Sequence, residues 1–172
     1  MPELLLELGC EELPASFVEK AYRQLEHEIV ARLASAGIPH GLSRSLGTPR
    51  RLIVGIQDVA DRQPDQTKEQ RGPALKSAYG ADGSPTPALL GFCKSQGIEP
   101  GALRQEGDYV WVTKTIPGRP TSEVLAEILP ESIKALTFDK SMRWGTARMR
   151  FARPIRWILA AFDGAVVPFT VE

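Results

Sequence analysis

With 172 residues, 42% of them hydrophobic, the chain can bury a core of its own and fits one domain, or two small ones, better than anything larger. Its 21 basic side chains match its 21 acidic ones, so overall charge gives no reason to expect a polyanionic partner, and only a local concentration of one sign would argue for it. Cys10 and Cys93 form no CxxC and share no metal-ligand spacing with His27 and His40, which argues against a structural zinc site; no apolar run reaches membrane-spanning length, and the N-terminus lacks the basic start and long apolar stretch of a secretory signal, so the cytoplasm is the expected compartment.

Residues Glu3 to Leu8 read as a short strand. From about Pro14 to Ala36, Val18, Tyr22, Leu25, Ile29 and Leu33 recur at helical spacing, with Glu11 and Glu12 near the positive end and Gly37 with Pro39 as the stop. After a turn rich in glycine and serine, Arg51 to Ala60 alternates and is rich in isoleucine and valine, which predicts a strand. The composition turns polar from Asp61 to Pro85, predicting a linker or mobile loop over 63–85.

A smaller module is expected over 86–136. Thr86-Pro87 starts a helix that Gly97 ends, Tyr109 to Ile116 reads as a strand closed by Pro117-Gly118, and Leu125, Ile128, Leu129, Ile133 and Leu136 form the stripe of a further helix from Thr121. Pro130 is expected to kink or split that helix. Ile155 to Phe162 and Ala165 to Val171 are β-prone runs joined by Asp163-Gly164, a strong hairpin signal, with Pro168 confining the second run to a sheet edge or bulge. The absence of a terminating feature at Glu172 is expected of a boundary inside a longer protein.

One segment concentrates charge. Between Lys134 and Arg156 the basic residues Lys134, Lys140, Arg143, Arg148, Arg150, Arg153 and Arg156 are opposed only by Asp139, with Trp144, Phe151 and Trp157 interleaved. Guanidinium groups fit phosphate and stack on bases, and aromatic faces stack on bases too, so the pattern suits RNA. The same letters also describe core aromatics beside arginines that are solvated or paired with distant acids. For Trp144, Phe151 and Trp157 the core reading is preferred; for the arginines both stand. Thr48-Pro49-Arg50-Arg51 is a second basic spot, where a loop enters a strand.

Catalytic signatures are missing from the sequence: no GxxxxGK[ST] loop, no GxGxxG after a strand, no GxSxG and no HExxH. Glu7, Glu11 and Glu12 lack a convincing general-acid or metal spacing, and Glu11 and Glu12 read as first-turn charges beside a helix N-terminus. Cys10 reads as a small buried hydrophobe, and His27 as part of a solvated helix face.

Three stretches in order carry a resemblance. Leu4-Leu5-Leu6-Glu7-Leu8-Gly9-Cys10-Glu11-Glu12-Leu13-Pro14-Ala15, then Thr48-Pro49-Arg50-Arg51-Leu52, then Lys140-Ser141-Met142-Arg143-Trp144-Gly145 continuing through Phe151-Ala152-Arg153-Pro154-Ile155-Arg156-Trp157, together resemble the start of the β subunit of the bacterial heterotetrameric glycyl-tRNA synthetase. That resemblance implies an α2β2 assembly whose α subunit joins glycine to ATP with Mg, and a longer β subunit that handles tRNA(Gly). It implies no catalytic residue, cofactor or metal in these residues, and no DNA or membrane partner. It also implies similarity to the body and tail modules of archaeal CCA-adding enzymes: an α+β fold with a mixed or antiparallel sheet and packed helices, a body from 1–62 and 137–172, and a small α/β module inserted between them. The RNA contacts are then expected among Arg50, Arg51, Lys140, Arg143, Arg148, Arg150, Arg153 and Arg156. The rival expectation is a protein-interaction module docking on the α subunit or other β-subunit domains without touching RNA.

Overall fold

The computed structural model describes residues 2–80, 82–146 and 148–171. It is a mixed α/β structure of antiparallel sheets and four helices, divided into two compact units, Met1–Pro64 with Gly118–Glu172, and Asp65–Pro117.

In the larger unit, β1 (Leu4–Cys10) is the centre of a five-stranded sheet. It pairs antiparallel with β3 (Arg51–Ile56) on one side and with β9 (Ile155–Phe162) on the other; β2 (Ser43–Thr48) and β10 (Ala165–Val166) form the edges. Strand alternation sends Leu4, Leu6, Leu8 and Cys10 to one face, where the three leucines are wholly buried. Against them lie Val18, Ala21, Leu25, Ile29 and Leu33 of α1 (Ala15–Ser35), and Val124, Leu125, Leu129 and Ile133 of α4 (Thr121–Lys134). Each fully buried aliphatic side chain contributes about 1.5–3 kcal/mol. Both helices therefore cover the same face of the sheet, and the opposite face stays open.

The smaller unit is a three-stranded sheet in the order β4 (Gln66–Ala74), β6 (Tyr109–Ile116), β5 (Arg104–Glu106). With α2 (Leu75–Ala78) and α3 (Pro87–Gln96) it closes a core of Ala78, Leu89, Cys93 and Val110. Thr86 caps α3, its Oγ1 accepting from the Leu89 N–H at 3.4 Å, and Gly97 ends the helix in the left-handed region at φ 68°.

Four expectations are corrected. The stretch 63–85 is not simply a loop: Gln66 to Arg71 are all exposed, so no apolar alternation marks them, yet their backbone pairs with β6 throughout. The helix from Thr121 does not belong with the smaller unit; its stripe packs with α1 and the five-stranded sheet, and Thr121 Oγ1 donates to the Ala60 carbonyl at 2.6 Å. Amphipathic spacing states that a helix has a buried face, not which core receives it. Pro130 does not split the helix into two elements; it is buried inside one continuous α4. Ser43–Thr48, read as part of a turn, is the edge strand β2, its half-exposed polar pattern lacking the usual strand signal.

Two short-range readings meet simple geometry. Asp163 and Gly164 both take positive φ, 50° and 75°, as the tight β9–β10 turn requires. β10 then stops at Val166, short of the expected run to Val171, because Pro168 has no N–H to donate to the ladder.

Candidate nucleic-acid interface

The basic segment begins after α4 and is built on a hairpin of two-residue strands, β7 (Met142–Arg143) and β8 (Arg150–Phe151). Phe151, 1% exposed, anchors it; its ring meets Phe138 edge-on at 4.7 Å, and Phe138 lies 6.1 Å from Phe17 of α1. Trp144 Nε1 donates to the Phe151 carbonyl at 2.9 Å across the same hairpin. Gly145 takes φ 60° in the connecting loop. The aromatics thus divide: Phe151 is core, Trp144 is half-buried against the core, and Trp157 lies exposed on the open face of the sheet.

The anchored hairpin displays uncompensated charge. Lys140, Arg143 and Arg148 are exposed and have no ion pair among the described residues. Arg150 meets no carboxylate either: its Nη2 donates to the Ser141 carbonyl at 2.6 Å and its Nε to Ser141 Oγ at 3.3 Å. Asp139, the one acid inside the segment, is drawn away to Lys20 of α1 at 3.3 Å. An open groove of about 620 Å³ runs between α4 and the hairpin, lined by Lys134, Thr137, Phe138, Ser141, Arg148 and Arg150. It combines cations, hydroxyls and an aromatic ring, the donor set that holds a phosphodiester backbone beside a sugar or base.

The other nominated arginines have different surroundings. Arg50 pairs with Glu12 at 3.4 Å, Arg51 with Glu7 at 3.6 Å and Arg156 with Glu11 at 3.6 Å, while Arg153 Nε donates to the Glu12 carbonyl at 3.1 Å. Backbone bonds bring these groups together. The Cys10 and Leu13 amides donate to the Arg50 and Pro49 carbonyls at 3.0 and 2.7 Å, and the Glu11 amide donates to that of Pro154 at 3.0 Å. The end of β1, the β2–β3 turn and the start of β9 therefore meet, so parts of all three motifs read in the sequence lie side by side. Glu11 and Glu12 are not first-turn charges of α1, whose first turn holds no acid; they face arginines. The Arg50–Glu12 and Arg156–Glu11 pairs are solvent-exposed, and such pairs stabilise by about 0–1 kcal/mol each, so a stronger anion can take these arginines from them.

The eight nominated side chains thus separate into a set with no carboxylate partner among the described residues, Lys140, Arg143, Arg148, Arg150 and Arg153, and a carboxylate-paired set, Arg50, Arg51 and Arg156. Lys134 and Ser141 were not nominated; Ser141 stands inside a quoted motif, but only the fold turns it toward Arg150. Cys10 is buried, and burial, with Glu11 adding to it, pushes its thiol up to about 11, so it is held protonated at neutral pH. Among the described residues no group of three or more His, Cys, Asp or Glu is placed to hold a metal ion, and no helix is long and apolar enough to cross a membrane.

Comparison with known proteins places the chain in context. A family model described as glycyl-tRNA synthetase beta subunit matches residues 4–172. The chain is 47% identical to the glycine–tRNA ligase beta subunit of Syntrophus aciditrophicus (strain SB), over 99% of its own length and 25% of that protein. It is 48% identical to the corresponding subunits of Citrifermentans bemidjiense and Desulforamulus reducens (strain MI-1), over 98% and 97% of its length and 25% of each relative. The chain spans about a quarter of the length of these curated relatives.

Proposed function

Because the chain belongs to the glycyl-tRNA synthetase β-subunit family, we propose that it is the N-terminal part of a glycine–tRNA ligase β subunit and holds tRNA(Gly) by its backbone, without carrying out chemistry itself. The activity of the assembly, joining glycine to tRNA(Gly) at the expense of ATP, then resides with a partner α subunit in an α2β2 complex in the cytoplasm, where ATP and Mg are used. The two units correspond, in this proposal, to the body and tail modules of archaeal CCA-adding enzymes, with Asp65–Pro117 as the tail.

The observation that carries the RNA reading is the carboxylate-free cluster on the β7–β8 hairpin. In a chain with equal numbers of acids and bases, Lys140, Arg143, Arg148 and Arg150 share a short surface with no acidic partner among the described residues, beside a groove that offers hydroxyl and guanidinium donors. Cations gathered without counter-charge repel one another, and a phosphate backbone relieves that repulsion while releasing its own counterions. Arg50 and Arg156 form a second rank, reached when phosphate displaces Glu12 or Glu11, with Arg153, held to the Glu12 carbonyl, beside them; Arg51 stays with Glu7 and Trp157 on the sheet face.

Filter binding of tRNA(Gly) to the complete α and β assembly tests this directly. With Arg143, Arg148 and Arg150 changed to Glu, affinity should fall steeply and the dependence of log K on log salt should flatten. Unchanged affinity and slope would remove RNA from the hairpin. If assembly with the α subunit were lost instead, with little dependence on salt, the segment would be a protein contact.

A further inference from the structure

The open face of the five-stranded sheet has a composition unlike the basic hairpin. Three cross-strand rows define it: Val166, Ala161, Leu5, Gly55 and Arg44; then Leu159, Glu7, Ile53 and Leu46; then Trp157, Gly9, Arg51 and Thr48. Leu5, Leu46, Trp157, Leu159 and Val166 are five of the ten large apolar side chains left exposed among the described residues. An antiparallel sheet can leave its second face to water when that face is polar, so a second face carrying this many large apolar side chains calls for a covering layer.

The centre of the face is ordered in advance. Trp157 lies flat over Gly9, whose missing side chain leaves the room: a Cβ there would stand 1.9 Å from the indole. Its Nε1 donates to Glu7 Oε1 at 3.2 Å, and the Arg51 guanidinium, 3.6 Å from the same carboxylate, stands 5.8 Å from the centre of the indole. A fixed tryptophan beside an arginine, ringed by leucine, isoleucine and valine, is the arrangement found at the centres of protein interfaces. Glu7 and Arg51 answer each other, and Arg44 is matched in number by Glu3, whose carboxylate reaches over Gly55, so the face has no excess of positive charge and does not suit a polyanion.

We infer that this face is the seat of a segment from the remaining three quarters of the β subunit, the part that the relatives have beyond the span matched here, docked by its own apolar surface; the inference rests on the reading of this chain as the N-terminal part of that subunit. Three observations select this occupant. The relatives supply the necessary length. The last two strands, β9 and β10, carry Trp157, Leu159 and Val166, and the residues after β10 run beside β9, with the Val167 amide donating to the Ala160 carbonyl at 3.0 Å and a groove of about 410 Å³ along this sheet edge, lined by Trp157, Leu159 and Val166 of the open face and by Ala160, Val167 and Phe169 of the core side. Polypeptide continuing from there begins at the margin of the face, at a high effective concentration relative to it. Finally, the near-neutral, apolar chemistry fits a packed intramolecular layer and not RNA.

The test uses the full-length β subunit carrying Leu46→Cys or Leu159→Cys, with Glu19→Cys on the solvent side of α1 as reference, pulsed with a thiol reagent at neutral pH and read by peptide mass spectrometry. Cys10 and Cys93 are buried and serve as indicators that the protein is folded. In the subunit alone, without α subunit or tRNA, positions 46 and 159 should label at least tenfold more slowly than position 19. Equal labelling overturns the inference. So does protection that arises only on adding the α subunit, only on adding tRNA, or only as the concentration of the subunit rises, which assigns the face to those partners or to a second copy. If a variant does not fold, hydroxyl-radical oxidation of native Trp157 in the full-length subunit gives the same readout: low modification supports the inference and free modification overturns it. Filter binding of tRNA(Gly) to the same variants in the assembly reports separately on the RNA reading, so each can fail alone.

Discussion

Arg143 and Arg150 stand directly opposite one another across the β7–β8 ladder, with no carboxylate of the described residues paired to either. Like charges directly opposite on antiparallel strands are destabilising. Arg143→Glu creates an opposite-charge pair with Arg150, so the protein should gain stability by about 0.2–1 kcal/mol in urea denaturation. The same change should weaken tRNA(Gly) binding by about tenfold or more, since a hydrogen bond to a charged group contributes about 1.5–3 kcal/mol. Opposite signs on the two measurements separate a binding role from a folding role; a loss of both would make the arginine structural.

The two ranks of arginine should differ in salt dependence. Arg148→Ala, which removes an unpaired cation, should lower the slope of log K against log salt by about one. Arg156→Ala, whose partner Glu11 stands 3.6 Å away, should lower it by clearly less, because removing it also removes a competition with that carboxylate. Equal changes in titrations from low to high salt would contradict the division into ranks.

Phe151 is the anchor of the hairpin, and Phe151→Ala should cost about 3–5 kcal/mol, as for other large buried aromatics. Limited proteolysis should then cut preferentially within 141–150 before the rest of the larger unit opens. Cleavage confined to other loops would show that Trp144 and Phe138 hold the hairpin without it.

Gly9→Ala places a methyl group into the Trp157 ring. Overpacking costs about 1–3 kcal/mol, and the lower end is expected because the indole lies at a surface and can swing away. Tryptophan fluorescence should shift to the red as Trp157 leaves Glu7. In a Trp157→Ala background the same substitution should be nearly silent, giving a coupling of about 0.5 kcal/mol or more in the double-mutant cycle. Full additivity would mean that the two residues do not meet.

Cys10 gives a pH prediction with a defined sign. Its folded pKa, about 11, lies above the ordinary value of 9.0, so folding favours the protonated thiol. The stability this contributes is fully present below pH 9 and is lost as pH rises toward 11. Alkylation of Cys10 should remain slow at pH 8 and accelerate only in that window. Cys10→Ala should remove this part of the alkaline decline in urea midpoint, and an unchanged decline would assign it to other groups.

Local physics is what the sequence determined by itself. Leu4, Leu6 and Leu8 state a strand with one buried face, the spacing from Val18 to Leu33 states a helix, Thr86-Pro87 and Gly97 bracket another, and Asp163-Gly164 states a tight turn; each signal is complete within a few residues. Three ordered motifs were likewise sufficient to indicate the family. The polar strand β4 escaped because its pairing is a property of the backbone, and α4 was assigned to the wrong unit because an apolar stripe does not name its partner. Only the tertiary structure decided which arginines are answered by acids. Glu11 meets Arg156 and Glu7 meets Trp157 across more than a hundred residues, while Arg143, close in sequence to Asp139, is left without it. Charge acts through distances in space, and sheet order sets those distances; the same order leaves the face around Trp157 uncovered.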